Sequence, residues 1–85
     1  MTRAWLVERD VDSRDLVTLT YATPDGEQAF TKQSSLTSLS RTGGVTAAVD
    51  VDADRFEPVE DPETVERYAG EADRVAADND PDDEI

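Results

Sequence analysis

Lys32, Ser34, Ser35, Ser38, Arg41 and Thr42 are the side chains of this sequence best suited to meet a ligand or a partner. They fall within residues 28–49, a run of 22 positions without Asp or Glu, in a chain of 85 residues that carries 21 acids and a net charge of −13. Burial accounts for Phe30, Leu36, Leu39, Val45 and Val49 in that run. It does not account for Ser34, Ser35, Thr37, Ser38, Ser40 and Thr42, which as a class stay in water. A surface kept free of carboxylates can approach an anion or another acidic protein without repulsion. Two chemistries follow. The first is a neutral packing or subunit interface. The second is an anion site, in which Lys32 and Arg41 supply charge and the free N–H groups of a serine-capped helix start bond a phosphate or carboxylate. The interface is the expected use and the anion site the alternative.

Catalysis has little to draw on. The sequence contains no histidine and no cysteine, which removes the commonest general base, the thiolate nucleophile and the usual transition-metal ligands. No Gly-rich phosphate loop or nucleophile elbow is present. Carboxylates are so abundant that any pair of them carries no information about acid–base work. The expectation is no enzyme, no catalytic residue and no cofactor. Asp50-Val51-Asp52-Ala53-Asp54 has the opening of an EF-hand loop, with Asp61 at the twelfth position. However, Arg55 stands where the turn needs glycine, Pro58 takes the ninth position, and the last ligand should be a bidentate Glu. A solvated strand end explains these acids better than a metal site. Trp5, Tyr21 and Phe30 could stack bases on a sheet, but alternating positions assign them to the core. Gly43-Gly44 reads as a helix stop and turn.

These side chains need a scaffold, and hydrophobic alternation supplies one. Residues 4–9 form a first strand with Trp5 and Val7 on one face, and residues 10–14 are turn-rich. Residues 15–23 alternate Val17, Leu19 and Tyr21 against Thr18 and Thr20. Thr23-Pro24-Asp25-Gly26 is a hairpin turn, with proline presetting the first turn position and Gly26 able to adopt the left-handed conformation. A return strand over 27–32 is anchored by Phe30. Residues 34–42 form a short helix or an ordered loop. Residues 45–51 form a strand with Val45, Ala47, Val49 and Val51 on one side, and 55–59 a short edge strand, because Pro58 cannot donate to a central ladder. Asp61-Pro62-Glu63 starts a helix by an N-cap, a proline at the first position and an acid in the first turn. Val65, Tyr68, Ala69, Ala72, Val75 and Ala76 give it one apolar stripe. Arg67 sits four residues from both Glu63 and Glu71. The order β-β-β-(α)-β-(β)-α predicts an α+β fold, a small twisted antiparallel sheet with the C-terminal helix on one face. A five-stranded barrel with an oligonucleotide-binding-like path is the alternative. One domain is expected over 1–77, with 78–85 a disordered acidic tail whose removal costs little.

Leu16-Val17-Thr18-Leu19-Thr20-Tyr21-Ala22-Thr23-Pro24-Asp25-Gly26-Glu27 and Asp61-Pro62-Glu63-Thr64-Val65-Glu66-Arg67-Tyr68 resemble stretches of small acidic proteins from halophilic archaea. The resemblance covers the chain up to the tail. It implies a salt-rich compartment and carries over no active-site residue. Charge distribution points the same way: residues 50–85 hold 15 acids against three arginines, a net −12, while residues 1–49 sum to −1. Such charge repels itself in dilute buffer, and at molar salt a Debye length of ~3 Å removes most of that repulsion. Lys32 is the only lysine, and the acidic surface should hold K⁺ and water without specificity. No signal peptide or membrane span is expected, which places the chain in the cytoplasm. The sequence therefore reads as an interaction module, self-associating or bound to a protein partner. The alternatives are a nucleic-acid or phosphate-ligand binder through residues 28–49, and an acidic nucleic-acid mimic through residues 50–85. Net charge opposes the nucleic-acid reading.

Overall fold

The computed structural model describes residues 1–35 and 45–84. Five strands form one open antiparallel sheet: β1 (Thr2–Val11), β2 (Leu16–Ala22), β3 (Gln28–Ser35), β4 (Ala48–Val51) and β5 (Glu57–Pro58), in the spatial order β4-β1-β2-β3-β5. A 3₁₀ turn, Ala53–Arg55, precedes β5, and the helix α1 (Pro62–Asp78) packs across β1 and touches β2. This is the expected α+β fold, and the open sheet sets aside the barrel. The helix considered for residues 34–42 cannot begin at Ser34 and Ser35, which complete β3. Residues 36–44 lie outside the described residues.

Local chemistry accounts for the turns. The Asp12 carboxylate accepts from the N–H groups of Arg14 (2.8 Å) and Leu16 (3.1 Å), closing the β1–β2 hairpin, with Asp15 in the left-handed region at φ 62°. At the β2–β3 hairpin the Thr23 hydroxyl donates to Asp25 Oδ1 at 2.6 Å and the Glu27 N–H donates to the same oxygen at 3.0 Å. Gly26 has φ 72°, and its N–H reaches the Thr23 carbonyl at 2.8 Å. The glycine is required twice, because a Cβ there would also run into the Val65 carbonyl of α1 and lie 2.7 Å from Ala69 N. The hairpin tip therefore touches the helix backbone. α1 starts as its residues dictate: Asp61 accepts from Glu63 N at 3.3 Å and from the Thr64 hydroxyl at 3.0 Å, with Pro62 at the first position.

Both sides of the sheet are buried. On the helix side, Trp5, Ala47, Ala48, Ala72 and Val75 form one cluster, joined by Val7. On the other, Ala4, Leu6, Val17, Leu19, Tyr21 and Val45 form a second, with Phe30, Val49 and Phe56 packed against it. β1 serves both clusters because it alternates, and a register shift between Leu6 and Glu8 changes the phase of that alternation. Within α1 the buried stripe is narrower than the sequence predicts, Ala72 and Val75 being buried and Ala76 exposed. Arg67 reaches across to Glu8 of β1 at 3.9 Å, whereas Glu71 is taken by Arg74 at 2.6 Å.

Two expectations are corrected. The strand over 45–51 begins only at Ala48, and Val45 and Ala47 belong to different clusters rather than to one side. The acidic segment after α1 is not a free tail. The helix runs through Asp78, and the chain then turns back along β4: the Ala47 N–H donates to the Asp83 carbonyl at 2.7 Å, the Ala48 N–H to the Pro81 carbonyl at 3.0 Å, and Thr46 bridges to Glu84. Asp80 N to Asp83 Oδ2 (2.8 Å) and Asp83 N to Asp80 O (3.0 Å) hold the turn. Backbone pairing of this kind needs no apolar side chain, so a segment rich in carboxylates can still cover an edge.

Candidate functional site

β3 carries residues 28–35 of the acid-free run, and the other described part, residues 45–49, leads into β4. Its register against β2 pairs Tyr21 with Phe30, Leu19 with Lys32, Val17 with Ser34 and Leu16 with Ser35. Lys32 and Ser34 therefore share the face of Leu19 and Val17, away from α1, and Ser35 lies on the opposite face. Thr31, Lys32 and Gln33 are exposed, and Ser34 and Ser35 are half-buried. The structure thus brings Lys32 and Ser34 to one face and sets Ser35 beside them on the other. Ser38, Arg41 and Thr42 lie outside the described residues. The serine-capped helix start proposed as an anion cradle does not begin at Ser34 or Ser35, since both belong to a strand.

Sequence reasoning missed Arg9. Plain alternation would place residue 9 with Trp5 and Val7, but the bulge after Leu6 shifts the phase, and Arg9 pairs with Leu19. Arg9, Leu19 and Lys32 form a row across β1, β2 and β3. The face around that row contains Leu6, Tyr21 and Phe30 on one side and Val11, Val17 and Ser34 on the other, with no carboxylate among them. Burial pushes the Tyr21 hydroxyl above its ordinary pKa, and the positive charge of Arg9 opposes that shift. Thr31 and Gln33 were missed as well. They are neutral residues whose importance comes from backbone direction, which composition does not encode.

The aromatic residues do not form a stacking platform. Tyr21 is 3% exposed and Trp5 9% exposed, on opposite faces of the sheet. Phe30 makes an edge-to-face contact with Phe56 at 6.3 Å, and the Arg55 guanidinium lies 5.8 Å from the Phe30 ring centre. Arg55, one of only three arginines in the acidic half, thus caps the apolar cluster at the β5 end. The helix-side cluster has its own polar rim, where the Tyr68 hydroxyl donates to Glu8 Oε2 at 3.2 Å. Burial and the Glu8 charge both hold that phenol above its ordinary pKa.

The acids with EF-hand-like spacing are used differently. Asp50 accepts from Arg3 Nε at 3.2 Å, Asp52 precedes the 3₁₀ turn and Asp61 caps α1. Among the described residues no three acidic side chains gather into a potential metal site, and no helix is long and apolar enough to cross a membrane.

No curated protein and no solved structure matches the chain. A family model described as a family of unknown function, DUF7967, matches residues 1–85. Its match spans both hairpins, the sheet edges, α1 and the returning C-terminal segment, and the chain belongs to that family.

Proposed function

We propose that the protein is a non-enzymatic interaction module of a salt-rich cytoplasm, self-associating or docking on a larger protein through β3 and the acid-free run that contains it. The observation that carries this reading is the placement of Thr31, Lys32, Gln33, Ser34 and Ser35 on a strand near the sheet edge, without a carboxylate, in a chain of net charge −13. Like charge is the main barrier to association for such a chain, and this strand is where that barrier is lowest. The test introduces acids. Ser35→Asp with Ser38→Glu should abolish a self-complex or partner complex with the fold intact by circular dichroism, whereas two acids added after Glu84 should not. Equal association in both variants defeats the reading.

The salt-rich compartment has its own measurement. The thermal midpoint should rise steeply between low and molar KCl, because residues 50–85 hold −12 of the charge. A midpoint independent of KCl removes that part of the proposal.

A phosphate-bearing ligand is the second reading, favoured by the row of Arg9, Leu19 and Lys32 on an acid-free face. Under it, Lys32→Ala with Arg41→Ala abolishes binding of a short oligonucleotide at moderate salt. Absence of any such binding by the wild type defeats it.

A further inference from the structure

We infer that residues 80–84 are a strap gated by ionic strength, closed over the β4 edge at molar KCl and released at low salt while the sheet and α1 stay folded. The strap lies apart from the contact surface proposed above. Its fixed end is Asn79, whose backbone and side-chain N–H groups both donate to the Val75 carbonyl, at 3.0 and 3.2 Å. Beyond Asn79 the chain turns between Asp80 and Asp83 and is fastened through the main chain. The N–H groups of Ala47 and Ala48 donate to the carbonyls of Asp83 and Pro81, and Thr46 bridges to Glu84. Pro81 is the one apolar residue of the strap and is half-buried, whereas Asp80, Asp82, Asp83 and Glu84 are exposed. Closure therefore gains little from apolar burial and rests on a few hydrogen bonds, each of which exchanges with water at small net gain.

Charge opposes that closure. Asp80, Asp82, Asp83 and Glu84 return beside Asp50 of β4 and leave from the end of α1, which has no basic residue in its last turn and closes on Asp78. A helix C-terminus adds partial negative charge of its own. Arg3 lines the same groove, of about 370 Å³, as Asp50, Pro81 and Asp82, but it is held by Asp50 at 3.2 Å. Arg74 of α1 is likewise held by Glu71 at 2.6 Å. Among the described residues no strap carboxylate has an ion-pair partner. At 1 M salt a Debye length of ~3 Å isolates these charges from one another, whereas at 0.01 M it is ~30 Å and the strap, Asp50 and the helix end repel together. A segment with so few buried contacts opens before the core does. Open, it leaves the N–H groups of Ala47 and Ala48 to another strand, so ionic strength is converted into exposure of a sheet edge.

Amide exchange read residue by residue tests the strap, after correction for the intrinsic rate at each salt concentration. On passing from about 2 M to about 0.1 M KCl, the Ala47 and Ala48 amides should exchange faster by roughly tenfold or more, while those of Leu19 and Tyr21 in the central ladder stay protected. Asp82→Asn with Glu84→Gln removes two strap charges, keeps the main-chain groups, and should lose most of that response. Glu60→Gln with Glu66→Gln makes the same change in net charge away from the strap and should retain it. Equal acceleration at all of these amides would mean that the whole fold loosens, and overturns the strap. Protection of Ala47 and Ala48 that ignores KCl also overturns it, as does a response that survives neutralisation of Asp82 and Glu84 or is lost equally in the Glu60 and Glu66 variant.

Discussion

At β4 the sheet ends in four residues, and a returning segment bonds Ala48 and the residues just before it, Thr46 and Ala47, bringing Asp80, Asp82, Asp83 and Glu84 to that edge. At β3 it ends in eight residues, of which β5 covers two, and the nearest charge on the strand is Lys32. The first edge is blunted by length, by backbone pairing and by charge, three of the devices by which sheets avoid edge-to-edge contact. The second has Pro58 and a two-residue guard, and then runs on neutral. The two edges thus differ in charge as well as in cover, a difference that the net charge of the chain does not describe. Under the interaction reading proposed above, where the carboxylates are withheld should matter as much as how many there are.

The largest expected effect falls on the junction that supports the β3 edge. Gly26→Ala places a methyl group against the Val65 carbonyl and Ala69 of α1 at a positive φ. It should cost about 3 kcal/mol, read as a fall in the urea midpoint at molar KCl. A change under about 0.5 kcal/mol would mean that the hairpin tip does not touch the helix as described. A smaller effect tests the β4 edge. Removing residues 79–85 frees the N–H groups of Ala47 and Ala48 to water and should cost about 1–2 kcal/mol, with faster amide exchange at those two residues. Exchange there should also accelerate at low KCl in the intact chain, while the Thr31 and Gln33 amides respond less. Unchanged protection after truncation would erase the difference between the edges.

The smallest effect concerns the turn that starts β3. The Thr23 hydroxyl, then the Glu27 N–H, hold the Asp25 carboxyl below its ordinary range. A depressed folded pKa contributes stability above the unfolded value and loses it as pH falls through the folded one. Asp25→Asn, which resembles the protonated carboxyl, should therefore be less stable than the wild type at neutral pH and show a flatter acid limb below pH ~4, the two chains converging at low pH. An identical acid limb in the variant would show that the turn hydrogen bonds carry no linkage.

Much of the fold was legible because its signals are local. Pro24, Asp25 and Gly26 specify a turn by their own φ preferences and side-chain bonds, and Asp61-Pro62 specifies a helix start in the same way. The boundaries of β1 and β3 were underestimated because the flanking residues, such as Asp10 and Gln33, pair through backbone and leave no apolar trace. The returning segment was misread for the same reason: Asp80 to Glu84 have the composition of solvated coil, and only the location of an unpaired strand edge, a non-local fact, gives them a partner. At the candidate site, Lys32 and Ser34 were identified from the missing carboxylates. Arg9 was hidden behind a one-residue bulge that reverses its face.

Trp5 gives the helix side of the sheet a spectroscopic address. It is the only tryptophan, and it is buried with Ala72 and Val75 of α1 and with Ala47 and Ala48, whose amides bond the returning segment. Its emission therefore reports helix docking and closure of the β4 edge together, while remaining remote from Gln33, which lies two strands away on β3. Titrating KCl or truncating the C-terminus should shift that emission to longer wavelength as the indole meets water. Assembly through β3 should leave it unmoved, so one intrinsic fluorophore separates loosening of the fold from assembly of its copies.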